Sequence, residues 1–323
     1  MGYYISSLTV YFLIGSIAGL GLNLQFGVAG LLNFAFIVFQ ATGAYVAAML
    51  SLGSDSSFGG FQQYLFGEQL PFPLPLLGGV LAAGLLSLII GVVGLRKLRR
   101  DYQAMVMLVI AVIATTVVEG DRGLLNGSAG LALIPRPFGS LAKLGPTSYG
   151  WAYVGLAAVF LVLTYWIVYR ITESPWGRVV RAARDGEAAA AALGKNVVSL
   201  QLTVFVIGGM IAGLSGVLLV QFIGAWSPAG WLYPETFVFF TAVIVGGTGN
   251  RVGVLFGTFL ISVVIGQGST YLPQFGPSPV FVASMQWVVI GLATLAVLWF
   301  RPEGVFPERV RRLAQRSSRA TAR

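Results

Sequence analysis

The chain alternates between long apolar runs and short polar, Gly- or Pro-rich breaks. A helix that crosses a membrane needs about 20 predominantly apolar residues, and the breaks leave about nine stretches of this kind. They lie near Tyr4–Leu22, Val28–Leu52, Phe72–Gly94, Ala104–Val118, Tyr149–Tyr169, Val197–Gln221, Tyr233–Gly247, Val252–Thr270 and Val280–Phe300. The pattern predicts an all-α fold, a polytopic transmembrane helix bundle of about nine spans (eight to ten).

Composition agrees with this interpretation and narrows the chemistry. Of the 323 residues, 56% are hydrophobic and 10% are charged, and neither cysteine nor histidine is present. Disulfides, thiolate metal sites and imidazole proton shuttles are therefore excluded, and no nucleophilic triad can be assembled. We expect no enzyme activity, no metal and no cofactor. The opening residues, MGYYISSLTV, lack a basic n-region and a small-residue cleavage site, so we expect the first run to remain a span.

Basic residues concentrate in the connectors Leu95–Gln103 and Arg170–Asn196 and in the tail Arg301–Arg323. Cytoplasmic loops carry the excess of Lys and Arg. With nine spans this rule places the N-terminus outside, the C-terminus in the cytoplasm, and all but three of the 20 bases inside: Arg122, Arg136 and Lys143 are the exceptions. The net charge of +9 then reflects mainly the basic residues that orient the chain in the membrane. We therefore interpret the tail as an anchor to anionic lipid rather than a nucleic-acid site.

Ionisable residues are scarce inside the predicted spans. Asp101, Glu119 and Glu235 fall at span ends, where they are expected to reach water, so no proton relay is predicted. Neutral polar side chains are more frequent within the spans. They are Asn33, Gln40, Thr115, Thr116, Gln201, Gln221, Thr241, Gln267 and Gln286. They could line a path for a polar, net-neutral solute or form hydrogen bonds between helices.

One segment, GLNLQFGVAGLLNFAF, breaks what would otherwise be a continuous apolar hairpin. Asn23, Gln25, Gly27 and Gly30 interrupt it. Irregular backbone at membrane depth is tolerated where protein or a watery cavity covers it, and broken helices often mark substrate sites in transporters. An ordinary tight turn between two spans explains the same residues equally well.

The charged segment ESPWGRVVRAARDGEAAAAALGKN, residues 173–196, is exceptional in so apolar a chain. Ala188–Ala192 is a strong helix former. Asp185 and Glu187 suit the start of that helix, and Gly194 suits its end. No Gly-x4-Gly-Lys-Ser/Thr phosphate loop occurs in the sequence, because GKN at residues 194–196 lacks both the earlier glycine and the hydroxyl.

Several ordered motifs resemble the membrane permeases of branched-chain amino acid ABC importers. GLGLNLQFGVAGLLNFAFIVFQATGAYVAAML resembles the family's opening signature, and LRKLRRDYQAMVMLVIA resembles a later segment. The most extensive similarity lies in ESPWGRVVRAARDGEAAAAALGKNVVSLQLTVFVIGGMIAGLSGVLL. VIVGGTGNRVGVLFGT and RPEGVF extend the resemblance over nearly the whole chain.

The resemblance implies a single permease domain over residues 1–323, with a cytoplasmic coupling loop at 170–196 and a basic cytoplasmic tail at 301–323. It implies coupling to an ATPase through Arg181, Arg184, Asp185, Glu187, Ala188, Ala189 and Gly194. The spacing in this chain departs from the general importer motif. Gly194 follows Glu187 by seven positions, whereas the motif has about six, so the docking register differs. The translocation pathway is expected at Asn23, Gln25, Gly27, Gly30, Asn33 and Gln40.

The implied protein is one half of a pore in the bacterial inner membrane. Its implied partners are a second homologous permease, two ABC ATPase subunits, an external solute-binding protein and membrane lipid, without nucleic acid. The implied solute is a branched-chain or other small amino acid. Urea or amides, nucleosides and simple sugars remain alternatives, as does an ATP-independent channel or carrier.

Overall fold

The computed structural model describes residues 2–53, 62–65, 67–97, 100–137, 145–267, 279–301 and 303–308. Within these ranges every regular element is helical, and two isolated β-bridges, Tyr64 with Leu125 and Leu131 with Trp226, are the only strand-like pairings. The helices are α1 (Gly2–Asn23), α2 (Phe36–Ser51), α3 (Leu74–Lys97), α4 (Arg100–Gly120), α5 (Arg122–Leu125), α6 (Pro146–Glu173), α7 (Pro175–Asp185), α8 (Glu187–Ala192), α9 (Val197–Ile223), α10 (Tyr233–Gly246), α11 (Arg251–Thr258) and α12 (Pro279–Phe300). The predicted all-α class is confirmed.

Six helical stretches of the described chain are long and apolar enough to cross a membrane. They are Gly2–Val28, Leu74–Leu95, Tyr102–Gly120, Pro146–Glu173, Val197–Ile223 and Pro228–Gly246. Phe36–Ser51, Arg251–Val264 and Trp287–Phe300 are apolar but shorter. The prediction of about nine spans is thus not established, and α2 shows why. Its 16 residues extend only roughly 24 Å, because residues 29–35 leave the helix.

Helix α9 lies at the centre of the described bundle and packs against α1, α2 and α3. Glycines permit the close approach. A Cβ placed on Gly43 would collide with the backbone of Gly213, and a Cβ on Gly209 would lie 2.5 Å from the Cβ of Ser87. Small residues let helix backbones approach in this way where lipid supplies no hydrophobic drive for association.

Helices α10 and α11 form an antiparallel hairpin that is packed nearly backbone to backbone. Added Cβ atoms on Gly253 and Gly257 would collide with the carbonyls of Gly246 and Ala242. Past Thr258 the helix continues as a π-helix, Phe259–Gln267. The hairpin packs on α1, where Gly15 and Gly19 face Thr258. These glycines therefore lie at close contacts between helices.

The outer helices expose rows of apolar side chains. They include Leu81, Leu85 and Val93 on α3, Met105, Val109 and Ile113 on α4, Val159, Val162 and Trp166 on α6, and Leu292, Leu295 and Trp299 on α12. An apolar exterior of this extent is typical of a surface that faces lipid or a partner subunit. Together with the apolar helices, it indicates a multi-pass membrane protein.

Candidate functional site

The break between α1 and α2 is held together by buried side-chain amides. After Asn23 the chain forms a π-turn, Leu24–Val28. The Gln25 Nε2 donates to the Phe205 carbonyl at 2.8 Å, and the Asn33 Nδ2 donates to the Gln25 Oε1 at 2.9 Å. The Asn33 Oδ1 in turn accepts from the Ala35 N–H at 3.1 Å. Both amides are fully buried, so their hydrogen bonds fix the irregular backbone in place.

Asn23 connects the same break to the turn between α10 and α11. Its Oδ1 accepts a hydrogen bond from the Gly249 N–H at 2.8 Å. A Cβ on Gly27 would collide with that Oδ1, and would lie 2.5 Å from the Gly249 nitrogen. The Asn23 Nδ2 is buried and has no hydrogen-bond partner among the described residues. Glycine is therefore required at position 27 for the two segments to meet.

Arg184, near the end of α7, reaches the break from the other side. Its Nη1 donates to the Gly27 carbonyl. Its Cγ would lie 2.7 Å from a Cβ on Gly30, whose φ of +69° also favours glycine. Arg184, which was predicted to take part in coupling, is thus in contact with two of the predicted pathway residues, Gly27 and Gly30.

The remaining donors of Arg184 meet two carboxylates. Its Nε lies 2.8 Å from the Asp185 Oδ1, and its Nη2 lies 3.1 Å from the Glu308 Oε2. Burial acts to lower the pKa of the guanidinium, but the hydrogen bond to Asp185 and the charge of Glu308 outweigh it, and the pKa is raised. Arg184 therefore remains charged while it connects three parts of the chain.

Glu308 reaches Arg184 because the segment Glu303–Glu308 folds back onto the end of α10. The Val305 and Phe306 N–H groups donate to the Val245 and Gly246 carbonyls, each at 3.0 Å. These are carbonyls in the last turn of a helix, which lack an intrahelical donor. The Phe306 ring packs edge-on against Phe256 at 5.5 Å between centroids. The predicted basic tail lies, from residue 309 onward, outside the described residues.

We call the meeting point of these segments the joint, defined by Gly27, Gly30, Arg184, Gly249 and Glu308. A polar cavity of about 330 Å³ lies beside it, and Arg181, Asn250 and Arg251 are among its lining residues. Arg251 is anchored in that cavity: its Nη2 lies 3.1 Å from the Glu173 Oε1, and its guanidinium lies 4.7 Å from the centroid of the Tyr169 ring.

Two short helices carry the charged segment past the joint. Ser174 caps α7, because its Oγ accepts from the Gly177 N–H at 3.1 Å. Helix α8 spans Glu187–Ala192 and ends in a left-handed glycine, Gly194, at φ +76°. The Gly194 N–H bonds to the Ala191 carbonyl at 2.9 Å, and the Lys195 N–H to the Ala190 carbonyl at 3.1 Å, which is the Schellman arrangement. The predicted helix and its glycine end are confirmed.

One face of α8 is buried and the other is exposed. Ala190 packs against Ala183 and Val197. Glu187, Ala188 and Ala189 are exposed, as is Asp185 before them, and Leu193 is 80% exposed. The loop therefore presents a small apolar surface, flanked by charge, on the side that faces away from the bundle.

Gln40 is the predicted pathway residue that lines a cavity within the helix bundle. The cavity measures about 210 Å³. Its polar lining includes Tyr11, Gln40, Glu235 and Ser262. Its apolar lining includes Ile14, Leu219, Val238, Phe239 and Ile290. Gln40 itself is 3% exposed.

Glu235 was expected at a span end, and it does lie at the start of a helix. It lies in the first turn of α10, inside the apolar stretch Pro228–Gly246, and is half-buried at this cavity. Sequence reasoning did not place Glu235 in the pathway, because no local pattern shows that it lines the same cavity as Gln40. The sequence did offer one signal for a functional residue here: a single acidic residue that follows Tyr-Pro and precedes an apolar run.

Among the other polar residues in the predicted spans, the threonines form hydrogen bonds within the bundle. The Thr115 and Thr116 hydroxyls donate to carbonyls of their own helix at 2.8 and 2.9 Å. Thr241 accepts from Thr294 at 3.1 Å. Gln201 and Gln221 are buried. The side chains of Gln267 and Gln286 lie outside the described part of the chain.

Comparison with known proteins identifies the class. Residues 4–298 match the family model described as the permease component of the branched-chain amino acid transport system. The fold and this match define a membrane permease, a class of multi-pass inner-membrane proteins that are not themselves enzymes. The chain belongs to that family of branched-chain amino acid transport permeases, within the ABC permeases.

Curated relatives agree with the family. A probable branched-chain amino acid transport permease protein, LivM, from Methanocaldococcus jannaschii is 24% identical over 94% of both chains. The high-affinity branched-chain amino acid transport system permease LivM of Escherichia coli K12 is 28% identical over 94% of this chain and 69% of its own. The corresponding LivH permease of Escherichia coli K12 is 25% identical over 80% of this chain and 82% of its own. No solved structure matches the chain.

Proposed function

We propose that the chain is the permease subunit of an ATP-binding cassette importer and forms half of a translocation pathway for branched-chain or other small amino acids. The family match over residues 4–298 and the relatives LivM and LivH support this proposal. Its partners are a second homologous permease, two ABC ATPase subunits, an external solute-binding protein and the surrounding lipid. The ATPases supply the energy, and the N-terminus lies outside with the C-terminus in the cytoplasm.

The coupling step is assigned to α7 and α8. The exposed surface of Glu187, Ala188, Ala189 and Leu193 docks on an ATPase subunit, and Gly194 sets the end of the docking helix. Asp185 is exposed just before this surface, and Arg181 and Arg184 are partly buried in the preceding helix. Closure of the ATPases around ATP moves the helix, and the movement reorients the spans.

The observation that carries this assignment is the set of contacts made by Arg184. It donates to the Gly27 carbonyl and lies 3.1 Å from Glu308. A displacement of α7 therefore acts directly on the break between α1 and α2 and on the segment packed against α10. A solvated loop with no mechanical role would not need a partly buried arginine that connects three segments.

The pathway is assigned to the cavity at Gln40 rather than to the whole break. Gln25 and Asn33 satisfy each other and the backbone, whereas Asn23 and Gly27 hold the turn at Gly249. In this proposal these four residues and Gly30 transmit movement to the cavity, and Gln40 meets the solute.

Two alternatives concern the solute and the energy source. A fructose import permease, FrcC of Rhizobium meliloti, is 28% identical over 51% of this chain and 45% of its own, so a simple sugar stays a candidate beside urea or amides and nucleosides. An ATP-independent channel or carrier is the alternative of a different class. It leaves the exposed α8 surface without a function.

The test is ATP-driven uptake in vesicles that contain the complete complex, with and without loaded binding protein. Leu193→Asp should abolish ATPase attachment and uptake, because it places a charge in the docking surface. The matched control is Leu133→Asp, which is also exposed, at 67%, but follows the bridge to Trp226 beyond the other end of α9. Wild-type uptake in Leu193→Asp, or solute flux without ATPases, would overturn the proposal in favour of a channel.

A further inference from the structure

The cavity at Gln40 contains an acidic group that the coupling proposal does not use. Glu235 lies within the apolar stretch Pro228–Gly246 and lines this cavity. Among the residues that the structure describes, no Lys or Arg forms an ion pair with it, and its carboxylate makes no hydrogen bond. A carboxylate in a largely apolar cavity is costly unless it faces water, a partner or a ligand.

The rest of the lining limits what can meet that carboxylate. The neutral polar groups include the Gln40 amide and the Tyr11 and Ser262 hydroxyls, which can donate to an anion as well as accept, and Trp287 adds an indole N–H donor. Aliphatic and aromatic side chains form most of the remaining wall. The volume of about 210 Å³ accommodates a small solute, because one liquid water occupies only about 30 Å³.

The combination fits a molecule with one cationic end, one anionic or polar end and an apolar body. We propose that Glu235 binds the α-ammonium group of an aliphatic amino acid as it passes through this cavity, with the Gln40 amide and the two hydroxyls on the α-carboxylate. The inference rests on the proposed function, and it selects among the solutes left open there. Fructose, urea and nucleosides carry no cation, so none of them accounts for an unpaired carboxylate.

The electrostatic part of the proposal can be tested without transport. The chain has no cysteine, so Ser262→Cys supplies a single thiol in the cavity. Full-length protein in lipid vesicles is labelled with a cationic and an anionic methanethiosulfonate of similar size. The ratio of the two rates cancels any change in thiol reactivity and reports the local potential.

We expect Glu235→Gln to lower the cation-to-anion rate ratio about tenfold or more, since a like-charged cleft concentrates counter-ions to this degree. Glu235→Asp keeps the charge and should keep the ratio. The control thiol, Ser148→Cys at the exposed start of α6, should give a ratio that does not depend on residue 235. An unchanged ratio in Ser262→Cys with Glu235→Gln would overturn the proposal.

Uptake then tests amine recognition itself. In vesicles with the complete complex, Glu235→Gln should raise the KM for leucine about tenfold to a hundredfold, the range for losing a charge-assisted hydrogen bond, while ATPase attachment stays normal. Glu119→Gln, an exposed acidic residue at the end of α4, is the matched control. A wild-type KM in Glu235→Gln would overturn the inference and leave the importer intact. A wild-type complex without ATP-driven amino acid uptake would instead refute the proposed function, and the labelling ratio would still decide whether the cavity selects cations.

Discussion

The Arg184 guanidinium donates to the Glu308 carboxylate at 3.1 Å and thereby joins two positions that are 124 residues apart in the chain. The side chains are 23% and 20% exposed, so the pair is partly screened by water. Because Arg184 also donates to the Gly27 carbonyl, this one side chain holds the α7 end, the α1 break and the last described segment in a fixed relation.

A double-mutant cycle on this pair should show unequal costs. Glu308→Gln should lower the free energy of unfolding by about 1 kcal/mol, as expected for a partly exposed ion pair. Arg184→Gln should cost about 1.5–3 kcal/mol, because it also leaves the buried Gly27 carbonyl without its donor. The double variant should cost no more than Arg184→Gln alone. The free energies are measured by denaturant unfolding in detergent, with Glu303→Gln as the control. Simple addition of the two costs would mean that the residues are not coupled.

Asn33→Leu and Gln40→Leu should separate a structural amide from a pathway amide. Asn33→Leu leaves the buried Gln25 Oε1 without its donor, so it should destabilise the protein by about 1–3 kcal/mol and reduce its abundance in the membrane. Gln40→Leu replaces a cavity-lining amide, so the protein should reach the membrane normally and lose uptake. Immunoblots of membranes and uptake assays measure the two effects. Normal abundance of Asn33→Leu in the membrane would show that Asn33 is not a structural amide, and it would again be assigned to the translocation pathway.

The same two residues show the limit of sequence reasoning here. A polar residue in an apolar run is visible in the sequence, but its role depends on what it faces. Asn33 faces Gln25, whereas Gln40 lines a cavity with Glu235. Local signals were sufficient for α8, because a run of alanines before a glycine defines a helix and its end through contacts a few residues apart. The ion pair of Arg184 with Glu308 depends on packing between distant segments, which no local pattern encodes.

Shortening the chain from its C-terminus should separate the tail from the segment that packs on α10. A chain that ends at Arg309 keeps the hydrogen bonds from Val305 and Phe306 to the end of α10, and it should retain uptake. A chain that ends at Arg301 loses them together with Glu308, and the freed carbonyls of Val245 and Gly246 should cost about 1–3 kcal/mol if they stay buried. Its uptake should fall at any given abundance. Equal uptake per molecule in the two chains would show that residues 303–308 have no part in coupling.

The last prediction concerns the end of α8, where backbone conformation can be changed without a steric clash. Gly194 has φ +76°, and a Cβ placed there would meet nothing within 4 Å. Gly194→Val should therefore act only through the left-handed backbone, at a cost of about 1–2 kcal/mol. The end of α8 would then fray or shift, and the exposed surface of Ala188 and Ala189 would move with it. We expect normal abundance in the membrane but loss of uptake and of ATP hydrolysis stimulated by loaded binding protein. Gly194→Asn is the control, because asparagine adopts this conformation readily, and it should remain close to wild type. Wild-type uptake and stimulated hydrolysis in Gly194→Val would show that α8 is a solvated loop, and its assignment as the coupling helix would be withdrawn.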